Sequence, residues 1–222
     1  MSEKQHSGYR VIADETDIVA GMRALRRKCR HMRRIHDLAG DPPLRRREPG
    51  FEGLARIIVG QQVSVASANA IWARFVTVVQ PMTATTVLTL DDAALKTAGL
   101  SRPKMRTLRA VANAIAEQGL DLEALATASE GEIRQRLTAV NGIGPWTADV
   151  FLMFCMGRVD VFAPGDLALQ VAAQMAMGLA ERPSIDELAE IAERWRPWRG
   201  VAARMLWAYY SYAKDSKSGV PV

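Results

Sequence analysis

Apolar residues recur at spacings of three and four along nearly the whole chain, whereas alternating β-branched runs are scarce. That spacing gathers apolar side chains on one face of a helix, so the chain reads as all-α. The pattern predicts a first helix over 16–38, closed by GDPPLRRREPG (40–50), a Pro- and Gly-rich connection that a helix cannot easily cross. Two helices over 51–59 and 64–79 follow, joined at Gly60-Gln61-Gln62-Val63. Thr83-Ala84-Thr85-Thr86 precedes a short helix, and Asp91-Asp92 caps another that ends at Gly99. Ser101 opens a helix to about residue 118, made basic by Arg102, Lys104, Arg106 and Arg109. A short helix is expected over 120–126, and the next begins at Ser129, because Ser129 and Glu132 match a capping box.

With 222 residues, 49% of them hydrophobic, the chain can form one sizeable domain or two small lobes around a shared core. Its two cysteines, Cys29 and Cys155, form no Cys-x-x-Cys pair. They point to a reducing compartment, and away from a disulfide framework or a cysteine-ligated metal. No apolar run approaches the roughly 18 residues that span a bilayer, and MSEKQHSGYR lacks the apolar core of a signal peptide, so a cytoplasmic, nucleoid-associated protein is expected. The net charge of +5 is modest, but arginines crowd 23–34 and 45–47. Such a cluster suits a polyanion, and it equally suits an ordinary solvated helix face.

The stretch Ile133 to Val150 is the most informative. An amphipathic helix ends, Asn141-Gly142-Ile143-Gly144 follows, and a second apolar helix starts after Pro145, a residue that fits the first helical turn. Gly142 and Gly144 permit positive φ and leave no Cβ in the way of a polyanion backbone, while Ile143 tucks between the helices. The free N–H groups at the new helix start then face a phosphate. A plain αα turn would have the same outline. Some twenty residues on, Ala163-Pro164-Gly165-Asp166 forms a loop, and Asp166 opens an apolar helix over 167–179. An N-cap role for Asp166 is compatible with a second, chemical role.

These strings resemble the helix-hairpin-helix DNA glycosylase superfamily, in particular its alkylation-repair branch, 3-methyladenine DNA glycosylase II. The similarity covers roughly 51–207. It rests on Ile57-Ile58-Val59-Gly60-Gln61-Gln62-Val63-Ser64, Gly99-Leu100-Ser101-Arg102-Pro103-Lys104, the hairpin, Ala163 to Asp166, and Trp195-Arg196-Pro197-Trp198-Arg199-Gly200. The resemblance implies that Asp166 is catalytic, stabilising an oxocarbenium-like sugar and aligning a water at C1′. Asp149 and Asp160 are rival carboxylates. Gln61 and Gln62, with Asn141, Gly142, Ile143, Gly144 and Thr147, are the implied DNA contacts, and Gln62 is the side chain inserted into the duplex. Trp146 and Trp207 match aromatic pocket positions, which suits cationic alkylpurines. Val150 stands where some relatives carry another aromatic, which bears on substrate breadth. Trp146 also occupies the place of the lysine of strand-cleaving relatives, which implies a monofunctional enzyme.

No cofactor is required on this reading. The four-cysteine iron–sulfur signature is absent, and the hairpin can hold a monovalent cation on the main-chain carbonyls of Thr138, Val140 and Ile143. The expected fold is two α-helical lobes flanking a cleft. It comprises an N-terminal basic helix and linker (1–50), a lobe with the Gln61-Gln62 segment (51–125), a lobe with the hairpin and Asp166 (126–215), and a tail (216–222). About fifty residues before Phe51 leave no room for the N-terminal β-rich domain of some relatives. The expected function is hydrolysis of the N-glycosidic bond of 3-methyladenine- and 7-methylguanine-type lesions in duplex DNA by a monomer. The alternatives are a glycosylase for oxidised or deaminated bases and a non-catalytic DNA-binding module.

Overall fold

Asp14 opens the first helix, α1 (Glu15–Lys28), with a capping box: its carboxylate accepts from the Thr16 N–H and the Asp17 side chain reaches back to the cap. The computed structural model describes residues 9–218. Among them are twelve α-helices, one short 3-10 turn and a single isolated bridge between Val11 and Arg158. No helix among the described residues is long and apolar enough to cross a membrane.

The helix expected over 16–38 is two helices. Cys29 adopts an extended conformation (φ −136°, ψ 112°) between α1 and α2 (Arg30–Ala39). The apolar spacing runs through the break, since Ile18, Met22, Leu25, Cys29, Met32 and Ile35 are all buried. Periodicity alone therefore could not reveal it. A side chain bridges the interruption: the Arg33 guanidinium donates back to the Arg26 carbonyl at 3.1 Å, supplying a partner to a last-turn oxygen that a helix end leaves without one.

Residues Arg47–Met156 form one compact unit, holding α3 (Phe51–Gly60), α4 (Val65–Val78), α5 (Ala84–Thr89), α6 (Asp92–Thr97), α7 (Arg102–Glu117), α8 (Glu130–Thr138) and α9 (Pro145–Phe154). α3 packs on α4, α7 and α9, and α7 also packs on α5. Leu54, Ile58, Leu108, Val111, Phe151 and Leu152 are fully buried in this unit. Two local expectations differ here. Over 120–126 only the turn Ala124–Thr127 is helical, because Asp121 Oδ1 takes the N–H groups of Glu123 and Ala124 in a local turn. Ser129 caps α8 through the Glu132 N–H, but Glu132 does not reach back as a full capping box requires; its carboxylate pairs with Arg136 one turn on, at 2.9 Å.

Met1–Arg46 and Gly157–Val222 form the second unit, with α1, α2, α10 (Leu167–Met177), α11 (Ile185–Glu193) and α12 (Arg199–Ser218). α12 packs on α10, α2 and α1, burying every residue from Val201 to Leu206. Much of the basic N-terminal stretch is structural. Arg34 and His31 of α2 meet the Ala176 carbonyl in the last turn of α10 at 2.6 and 3.0 Å, where cationic and donor groups offset the helix dipole. Buried Arg204 donates to the carbonyls of Leu44 and Gly200; burial, with Arg46 and Arg45 nearby, pushes its pKa down to about 9, so it stays charged at neutral pH.

The chain thus divides differently from the expected boundary near 125. The hairpin belongs to the same unit as Gln61-Gln62, and Asp166 to the other. The reason is that the N-terminal helices pair with α10 and α12 from the far end of the sequence, a long-range closure that contiguous segmentation cannot anticipate. The expected tail over 216–222 is helical through Ser218, and residues 219–222 lie outside the described residues.

Candidate active site

Asp166 caps α10, its Oδ1 accepting the Leu169 N–H at 3.0 Å. The same Oδ1 accepts a second hydrogen bond, at 3.1 Å, from the indole Nε1 of Trp207 on α12. Two N–H donors thus converge on one oxygen of a half-buried carboxylate, fixing its rotamer and stabilising negative charge on it. The loop beneath is equally constrained. The Asp166 N–H donates to the Ala163 carbonyl, and the buried Gln170 amide donates to the Pro164 carbonyl, both at 3.0 Å. Trp207 is half-buried, with its indole N–H engaged by Asp166. A Trp207→Phe variant keeps the ring and loses the donor. If Asp166 carries the base excision expected from the sequence, that rate should fall at least about tenfold, the worth of a hydrogen bond to a charged group, with the melting temperature little changed. Single-turnover kinetics beside a melting curve check this.

The rival carboxylates are occupied elsewhere. Asp149 is buried in α9 and accepts from Arg134 Nε of α8 at 2.7 Å, bracing the two helices of the hairpin. Asp160 sits in an ion network with Arg196 (2.8 Å) and Arg199 (3.0 Å), both of which also pair with Glu193. Hydrogen bonds and charge from these arginines hold the Glu193 carboxyl below its ordinary pKa.

In the hairpin, Gly142 has φ +88° and Gly144 has φ −97°, so only the first glycine is in the left-handed region. A Cβ on Gly142 would overlap Thr107 Oγ1 of α7 and come within 2.9 Å of Thr107 Cβ. The missing side chain therefore makes room for α7 and not for a ligand. Gly144 is the open position: a Cβ there would meet nothing within 4 Å, and no side chain caps α9. Asn141 and Gly142 are exposed, and Ile143 is buried. Trp146, second residue of α9, is half-buried. Val150 is buried one turn further on.

Thr147 is 2% exposed, and its hydroxyl accepts from Gln61 Nε2 at 2.9 Å, so the side chains of these two expected contacts meet each other. Gln62, next to it, is exposed with φ +53°, a left-handed conformation that a non-glycine residue adopts at a cost. Val63 and Val65 beside it are exposed too, Val65 by 75%. Sequence reading missed Thr107 and Lys104. Lys104 is buried and donates to the Val59 carbonyl near the end of α3 at 2.7 Å, and burial pushes its pKa down. A signal was present, since Lys104 lies on the apolar stripe of Leu108 and Val111 at spacings of four and three. Thr107 left none, because its partner Gly142 is far along the chain.

Residues 55–197 match the model of the HhH-GPD superfamily base excision DNA repair proteins. The chain belongs to that superfamily. This HhH-GPD protein is 27% identical over 162 residues to the alkylbase DNA glycosidase-like protein mag2 of Schizosaccharomyces pombe, covering 71% of this chain and 76% of the relative. It is 29% identical over 179 residues to DNA-3-methyladenine glycosylase 2 of Escherichia coli, covering 74% of this chain but 59% of that longer protein. Its fold is similar to that of S. pombe 3-methyladenine DNA glycosylase (Mag1) in complex with abasic DNA. The TM-score is 0.80 at 27% identity, over 85% of this chain and 95% of that one.

Proposed function

We propose that this protein is a monofunctional DNA glycosylase that hydrolyses the N-glycosidic bond of alkylated purines, such as 3-methyladenine and 7-methylguanine, in duplex DNA, as the first step of base excision repair. The observation that carries the reading is Asp166 at the start of α10 with Leu169 and Trp207 donating to one carboxylate oxygen. Loss of an alkylated base breaks the C1′–N bond, leaves the electron pair on the base and develops positive charge on the sugar. A preoriented carboxylate stabilises that charge and receives the proton of the water that adds at C1′. Trp146 and Trp207 each offer an aromatic face, which attracts a cationic base.

The α9 N-terminus at Gly144 supplies uncapped N–H groups for a phosphate. Gln62 fills the space left by the extruded nucleotide. Gln62→Gly separates its two roles. Stability is expected to stay within about 0.5 kcal/mol, because relief of the left-handed strain offsets the added chain entropy, while excision from a paired duplex falls. Urea unfolding and an excision assay on the same variant measure both.

Strand cleavage needs an amine nucleophile at the reacting sugar. Trp146 stands just after the hairpin, and Lys104 of the same unit is buried against the Val59 carbonyl. The carbonyls of Thr138, Val140 and Ile143 are hard oxygen donors of the kind a monovalent cation takes. That of Val140 already accepts the Ile143 N–H at 3.0 Å and keeps a second lone pair. With a cation there, the melting temperature is expected to stand a few degrees higher in potassium chloride than in equimolar choline chloride. Equal values would remove the cation from this reading. The protein acts as a monomer in the cytoplasm at the nucleoid.

The deciding assay incubates a duplex with one alkylated purine, with and without subsequent alkali. Breaks only after alkali are expected. Breaks without alkali would show a lyase, and no breaks in either arm would leave a DNA-binding protein.

A further inference from the structure

The turn between α3 and α4 is held from two directions within its own unit. Lys104 grips the Val59 carbonyl at the end of α3, and the Gln61 amide donates to Thr147 Oγ1, in the first turn of α9 just after Gly144. Gln62, exposed and left-handed, follows directly after the second anchor. The Thr147 side chain is buried away from any DNA surface, and a hydroxyl there has no packing advantage over the methyl group of valine.

Extruding a nucleotide costs a few kcal/mol, and the side chain that fills the gap must not yield under that load. A left-handed residue on an unsupported turn relaxes easily, because its backbone gains about 1–2 kcal/mol by reverting to the common region. We infer that Gln61 and Thr147 are positioning residues for base extrusion: their hydrogen bond fixes the Gln62 turn to the phosphate-facing end of α9, so that the grip on the backbone and the push into the stack act as one rigid body. The inference rests on the glycosylase reading above.

The test compares Thr147→Val, Thr147→Ser, Gln61→Met and the double variant Gln61→Met/Thr147→Val on duplexes in which the alkylated purine is either correctly paired or mispaired. Losing one partly buried hydrogen bond, Thr147→Val and Gln61→Met should each slow single-turnover excision from the paired duplex about five- to tenfold. The double variant should be no slower than either single one. In the mispaired duplex, where unstacking is already largely done, rates should lie within about twofold of wild type. Affinity for an abasic duplex should be unchanged, and Thr147→Ser, which keeps the acceptor, should restore the paired rate.

Equal losses on paired and mispaired duplexes, an affinity loss parallel to the rate loss, additive single effects, or no loss at all would each overturn the inference. If the wild-type protein excises no alkylated base, the glycosylase reading fails separately. Extrusion is then followed by 2-aminopurine fluorescence in a bound duplex, which should rise with wild type and Thr147→Ser and stay low with Thr147→Val. Equal fluorescence in all three would again overturn the inference.

Discussion

Asp166→Asn is expected to lower excision of an alkylated purine by about a hundred- to a thousandfold, the usual consequence of removing one preorganised electrostatic group from a reaction centre. The substitution isolates charge from structure. Asparagine is among the best N-cap residues, and its amide oxygen can accept both the Leu169 N–H and the Trp207 indole N–H that Oδ1 accepts now. Folding and DNA affinity should therefore stay near wild type while the developing sugar cation loses its counter-charge. Asp166→Ala serves as the contrast, since it also deletes the cap and should cost about 1 kcal/mol of stability in addition. Single-turnover assays on a methylated duplex, with binding measured on an abasic one, separate the terms. Full activity in Asp166→Asn would move the chemistry to another residue, and the engaged states of Asp149 and Asp160 make neither a ready substitute.

The second large effect is on stability. Gly142→Ala is expected to destabilise the protein by about 2–4 kcal/mol, from a positive φ that a side chain resists and from overpacking against α7. Thr107 cannot easily give way, because it is buried and its hydroxyl is bonded to the Pro103 carbonyl. For a chain of this size the loss corresponds to a fall of roughly 5–15 °C in melting temperature. Adding Thr107→Ala should recover the packing part and leave the backbone part, so the double variant should melt between Gly142→Ala and wild type. If it melts no higher than Gly142→Ala, the contact with Thr107 is not the cause. Gly144→Ala should be almost silent in the same experiment, because its Cβ would enter open space from an ordinary φ.

The contrast between the two glycines shows where sequence stops being informative. Their spacing, with Pro145 and an apolar helix following, was enough to locate the hairpin and the start of α9. The purpose of Gly142 was not visible, because it is set by a threonine some thirty-five residues earlier. Asp166 as an N-cap was legible from the Pro-Gly-Asp string and the apolar helix after it. Its second donor was not, since Trp207 lies on another helix and could only be assigned a ring. Gln61 and Thr147 were both picked out as DNA contacts, and the structure joins them to each other. Polar residues clustered near a functional surface look alike in sequence whether they face the ligand or hold the residues that do. The break at Cys29 was hidden for a different reason, that the apolar stripe continues across it while the backbone does not.

The division of the chain has a consequence for its birth on the ribosome. Arg47–Met156 is a continuous stretch and can close its own core as soon as it emerges, whereas α1 and α2 must wait for α10 and α12. At ordinary synthesis rates that delay is roughly ten to thirty-five seconds. During it the apolar faces of two arginine-rich helices, with Ile18, Met22, Leu25, Met32 and Ile35, have only each other to pack on. The same dense positive charge that caps α10 and braces the break at Cys29 would, by mutual repulsion between chains, favour solubility of that arm until α12 arrives.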